Sequence, residues 1–143
     1  MKLFEPTRAW IFFDGECALC SWCVRLLIRL DHKMIHRYSE MQSIEYVIFM
    51  KSKGLPLLDN NSVIWVAKSA NESNYHVCSK SDAIIVALYC TGRFGKWMAY
   101  VLRLCPKLVR DFVYILIAKA RYLLGKSRSN VVPEALRLKM NAT

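Results

Sequence analysis

Three cysteines at a spacing of three, Cys17, Cys20 and Cys23, follow directly on the apolar run Trp10–Phe13 and the break Asp14-Gly15. Cysteine does its chemistry as the thiolate, and two thiols three residues apart on a helix can close a disulfide and reopen it. A helix N-terminus favours a thiolate through its unpaired N–H groups and its dipole. Cys17 falls at that terminus and is the candidate attacking thiol, being nearer the exposed end. Cys20, one turn in, is the candidate resolving thiol. Asp14 and Glu16 oppose a thiolate at Cys17 through their charge. An acid here can instead accept the proton of the resolving thiol.

These positions need a strand, a turn and a helix. Residues 10–14 are predicted as the first strand, and Gly15 permits the tight turn. The helix runs over 17–31, with Val24, Leu27 and Ile28 apolar and Arg25, Arg29 and Asp31 charged. Alternation over 34–38 predicts a second strand. Residues 43–53 form a helix capped by Ser43 and stopped at Gly54. Residues 62–67 are a central strand, paired in a hairpin with 75–78. A helix capped by Ser79 or Ser81 runs to Cys90 and is closed by Gly92. Two more helices follow, over 95–105 and from Pro106 to about Leu124. A frayed helix over 131–140 lies in a polar, loosely ordered tail at 126–143.

The order β-α-β-α-β-β-α with added helices is that of a thioredoxin-like α/β domain, a small mixed sheet flanked by helices. In that fold a Cys-x-x-Cys after the first strand is the redox site. The domain is expected to occupy residues 1–125, including a helical C-terminal extension.

Composition narrows the function classes. The chain has 143 residues, six cysteines and a net charge of +10. No apolar run is long enough to span a bilayer, and Glu5-Pro6 interrupts any secretory segment. The cytoplasm is the expected location, where cysteines are catalytic, metal-binding or core thiols rather than a disulfide framework. Charge is uneven: residues 1–90 are net +1 and residues 91–143 net +9. Arg103, Lys107, Arg110, Lys119 and Arg121 lie beside apolar stretches. The C-terminal helices form either a solvated basic face or, if the chain is a non-enzymatic binding module, a surface that docks on an anionic membrane or nucleic acid, with the membrane favoured as partner.

Metal chemistry is the competing reading of the cysteines. Cys17, Cys20 and Cys23 with Cys105-Pro106 give the thiolate count of an iron–sulfur cluster. A zinc site could add Cys78 or His76 to Cys17 and Cys20. Against both, the three cysteines start a regular helix rather than a wrapping loop. Cys23 is alternatively a core thiol or a backup resolving thiol.

Asp14-Gly15-Glu16-Cys17-Ala18-Leu19-Cys20 resembles the Asp-Gly-x-Cys-x-Leu-Cys signature of the DCC family of thiol–disulfide oxidoreductases. Lys80-Ser81-Asp82-Ala83 is similar to its Ser-Asp-Ala segment. Arg110-Asp111-Phe112-Val113-Tyr114, with Ala118, Arg121-Tyr122 and Gly125, is similar to its C-terminal pattern. The resemblance implies a thioredoxin-like fold with Cys17 and Cys20 as the reacting pair and no organic cofactor. Its partners would be a disulfide-containing protein or small thiol substrate and a cellular thiol reductant. Asp14, Gly15, Ser81 and Asp82 would support the site. Asn61-Ser62 stands where thioredoxin relatives carry a substrate-binding cis-proline, so docking by that route lacks its usual residue.

Overall fold

The computed structural model of the chain describes residues 8–58, 62–68 and 74–123. Its order is β1 (Ala9–Phe13), α1 (Ala18–Leu30), β2 (His36–Glu40), α2 (Ile44–Ser52), β3 (Ile64–Lys68), β4 (Tyr75–Ser79), α3 (Lys80–Cys90), α4 (Arg93–Leu104) and α5 (Lys107–Leu123). The predicted tail at 126–143 and its helix lie outside the described residues.

The four strands form one sheet in the order β2-β1-β3-β4. β1 and β2 are parallel, with Ile11 opposite Tyr38. β3 runs antiparallel to β1, with Ile11 opposite Trp65, and β4 antiparallel to β3, with Trp65 opposite Cys78. This is the thioredoxin-like α/β arrangement. β1 has neighbours on both edges and helices over both faces, which is why Trp10–Phe13 is a continuous apolar run rather than an alternating one.

Strand alternation divides the core in two. Ala9, Ile11 and Phe13 join Trp65 and Ala67 on one face, packed with Val24 and Leu27 of α1 and Ala83, Ala87 and Leu88 of α3. Phe12, Ile64 and Val66 point the other way, against Tyr46 and Met50 of α2. Cys17 and Cys20 belong to the first cluster.

The predicted helices and hairpin are present, with two corrections. The second strand starts at His36, not at residue 34. Asp31 accounts for the shift: its Oδ1 accepts the Ile35 N–H at 3.1 Å and its Oδ2 the His36 N–H at 2.8 Å. His36 Nδ1 also lies 2.9 Å from Oδ2. This clamp occupies the chain between α1 and β2, and Met34 takes φ +50° to close it. The second correction concerns α3. Ser79 is its N-cap residue but makes no side-chain cap bond, and Ser81 Oγ donates instead to Asp111 Oδ1 of α5 at 2.7 Å. Ser43 does cap α2, accepting the Tyr46 N–H, and Gly54 ends that helix at φ +64°.

Candidate active site

Cys17 is the N-cap residue of α1. Its backbone is extended, and its Sγ accepts the Cys20 N–H at 3.3 Å. A sulfur in this position lies on the positive end of the helix, which favours a thiolate, whereas its burial and the nearby Asp14 oppose one. The Cys17 carbonyl begins the helix by accepting the Ser21 N–H at 3.0 Å.

The turn that delivers Cys17 is held from a distance. Asp14 is buried. Its Oδ1 accepts the Glu16 N–H at 3.0 Å and the Gln42 amide N–H at 2.7 Å. Gln42 Oε1 accepts the Gly15 N–H at 3.2 Å in return, and the Asp14 carbonyl accepts the Cys17 N–H at 3.2 Å. One amide side chain after β2 thus grips both Asp14 and Gly15. A Cβ at Gly15 would stand 2.9 Å from the carboxyl carbon of Glu40, so a larger residue there would displace that side chain. Gln42 carries no mark in the sequence, since an exposed glutamine after a strand is common and its partners lie 27 and 28 residues back.

The surroundings differ from expectation in one respect. Cys17 is only 2% exposed and Cys20 1%, so the helix end that carries Cys17 is not an exposed one. Phe13, Val24, Val63 and Ala83 are in the same buried cluster. Cys23 is partly buried. Burial, and then the charge of Cys17, push its thiol up to about 11. It is therefore a neutral thiol at physiological pH, as a core cysteine would be. Burial and then the Asp82 charge also raise the Cys78 thiol.

Ser81 and Asp82 are engaged by α5. Ser81 bonds Asp111, and Asp82 Oδ1 accepts from Arg110 at 3.1 Å while its Oδ2 pairs with Lys107 at 3.0 Å. The α3 start reaches the cysteine neighbourhood through its backbone: Lys80, at φ +58°, donates its N–H to the Val63 carbonyl at 2.9 Å. Val63 shares the buried cluster with both cysteines. Cys105, proposed above as a fourth metal ligand, lies at the C-terminal end of α4. Among the described residues, no three His, Cys, Asp or Glu side chains are grouped to share a metal ion.

The chain matches the family model of the DCC1-like thiol-disulfide oxidoreductase over residues 11–127. It is 32% identical over 130 residues to the uncharacterized protein YuxK of Bacillus subtilis, covering 90% of this chain and 88% of that one. It is 29% identical over 126 residues to the DCC family protein At1g52590, chloroplastic, of Arabidopsis thaliana, covering 87% of this chain and 70% of the relative. No solved structure matches it significantly. The matched stretch runs from β1 through α5 and so contains the cysteine turn and the helix that grips α3: this chain belongs to the DCC1-like thiol–disulfide oxidoreductase family.

Proposed function

We propose that the protein exchanges disulfides through the dithiol Cys17–Cys20. One observation carries the reading: Cys17 Sγ caps α1 and accepts the N–H of Cys20, the residue that must later attack it. The capping geometry favours the thiolate, and the one-turn spacing brings the second thiol to the first.

The Cys17 thiolate attacks one sulfur of a substrate disulfide. A mixed disulfide forms, and the other substrate sulfur leaves as a thiolate that takes a proton from water. Cys20 attacks Cys17 Sγ, and its proton passes to the substrate sulfur that is displaced. The substrate's remaining sulfur leaves, and Cys17–Cys20 is now the disulfide. Two electrons have passed from the pair to the substrate, and a thiol reductant of the cell restores them by the same exchange in reverse. Both sulfurs are buried, so a substrate gains access by displacing the first turn of α1. The substrate is a protein disulfide or a small-molecule one.

The test is differential alkylation with peptide mass spectrometry, after equilibration across a series of thiol/disulfide ratios. The reading expects a reversible Cys17–Cys20 bond with a defined midpoint, and a trapped mixed disulfide on Cys17 in Cys20→Ser. It fails if both residues stay thiols across the series, or if Cys17→Ser leaves turnover of a disulfide substrate unchanged.

A further inference from the structure

The two C-terminal helices are built inside out. α4 meets α3 through Gly95 and Ala99, both buried. A Cβ on Gly95 would collide with Thr91 Oγ1 and the Leu88 carbonyl oxygen, so the helices touch through small residues. The large apolar side chains point to solvent: Phe94, Trp97, Val101 and Leu104 are all more than half exposed, Leu104 at 89%. Their spacing of three, four and three places them on one helix face. Leu108 and Phe112 of α5, beyond Pro106, are exposed as well, by 84% and 66%. The inward side of α5 instead holds Arg110 and Asp111, bonded to Asp82 and Ser81. An exposed apolar surface of this kind marks a docking site.

Charge selects the occupant. Residues 93–123 carry seven Lys/Arg against one acid, Asp111; Lys107 and Arg110 pair with Asp82 of α3 and Asp111 faces Ser81, so the excess of positive charge rests on the other five, with Arg93 and Lys119 exposed. A second copy of the chain would set this positive surface against itself. Residues 124–143 carry four Lys/Arg against one Glu, so covering by the chain's own tail is opposed in the same way. Anionic headgroups are complementary. Trp97 and Tyr100, both exposed, are the side chains that settle at a membrane–water boundary. No described helix is long and apolar enough to cross a membrane. The combination is that of helices lying in the interfacial plane, with apolar residues at the acyl boundary and cations among headgroups.

We propose that α4 and α5 seat the protein on the surface of an anionic lipid bilayer. This assignment is independent of the thiol chemistry. It is tested by flotation of the full chain with phosphatidylcholine vesicles, with and without phosphatidylglycerol, at low and high salt. Binding is expected only with the anionic lipid and must weaken as salt rises. Arg93→Gln with Lys119→Gln should weaken binding about 30-fold, at roughly fivefold per cation. Leu104→Glu should weaken it about tenfold or more through the lost burial of one leucine, and its near-complete exposure leaves the fold intact. Circular dichroism checks the fold of each variant, and the salt series on the unaltered chain needs no variant at all. The proposal is overturned by absence of binding to anionic vesicles at low salt. Equal binding to neutral vesicles overturns it, as does binding that none of these variants changes. A dimer in light scattering that Leu104→Glu dissociates, without vesicle binding, assigns the face to a second copy and overturns it too.

Discussion

Cys23 is the position at which the chemistry of the cysteine run can be divided. Its thiol titrates at about 11 against an ordinary 9.0, because of burial first and the Cys17 charge second. Two units mean a thiolate fraction about a hundredfold below that of an ordinary cysteine at any pH under 9. Only the thiolate reacts with iodoacetamide. At neutral pH Cys23 should therefore be alkylated about a hundredfold more slowly than in the denatured chain, with steric shielding slowing it further. The two causes separate by mutation. Cys17→Ser removes the charge and leaves the burial, so the inflection of the Cys23 rate profile should fall but stay above 9. The assay is alkylation followed by peptide mass spectrometry across a pH series from neutral to strongly alkaline.

The same group sets an alkaline limit on stability. The folded chain holds the Cys23 proton until about pH 11, whereas the unfolded chain releases it near 9.0. The contribution is fully present below pH 9 and is lost as pH rises towards 11. Its ceiling is about 3 kcal/mol, from a shift of about two units. Cys23→Ala should flatten the alkaline limb of stability and leave the Cys17–Cys20 midpoint where it is. A Cys23 inflection at or below 9 would refute the argument. So would a shift in the midpoint when Cys23 is replaced, because Cys23 would then be acting as a resolving thiol.

Three other perturbations follow from the packing. Gly95→Ala drives a methyl into Thr91 and the Leu88 carbonyl and should cost about 2–3 kcal/mol; an unchanged urea midpoint would mean that α3 and α4 are not in close contact. Asp82→Asn removes the charge facing Arg110, whose side chain is 12% exposed. It should cost about 1–3 kcal/mol and speed amide exchange in α5, and unaltered exchange would show that α5 is held by other contacts. Burial opposes a charge on Asp31, but its hydrogen bonds from His36 and Ile35 hold its carboxyl below the ordinary carboxylate value. That stabilisation is present above about pH 3.9 and is lost as pH falls through the depressed folded value. Asp31→Asn should flatten the acid limb of the urea midpoint against pH, and parallel limbs in the two proteins would refute the clamp.

What could be seen in the sequence is what local periodicity and turn chemistry determine. Trp10–Phe13 announces a doubly covered strand, Ser43 and Gly54 bracket α2, and Cys17 falls at the start of α1 because the apolar run, the turn and the helix pattern leave no other register. What could not be seen depends on partners remote in the chain. Ser81 at the head of a helix has the form of a cap, yet its hydroxyl goes to Asp111, thirty residues on. Gln42 looks like any surface glutamine until β2, beside β1, brings it against Asp14 and Gly15. Asp31 delays β2 by taking backbone N–H groups that alternation alone would have assigned to the strand.

The orientation of α4 shows why the limit is physical. Its sequence holds two stripes, one of Gly95 and Ala99 and one of Phe94, Trp97, Val101 and Leu104, and periodicity reports both without saying which faces the protein. Burial of apolar area favours turning the large stripe inward. The small stripe wins because Gly95 lets the helix backbone come within a methyl's width of Thr91 and Leu88, and Ala99 joins Ala83, Ala87 and Leu88 of α3 in the buried cluster. An isolated domain thus forgoes the burial of at least six large side chains on α4 and α5. That free energy is released only when another apolar phase covers them. The bonds from Asp111, Arg110 and Lys107 of α5 to Ser81 and Asp82 hold that helix on the start of α3, so the exposed side chains are presented from a fixed base.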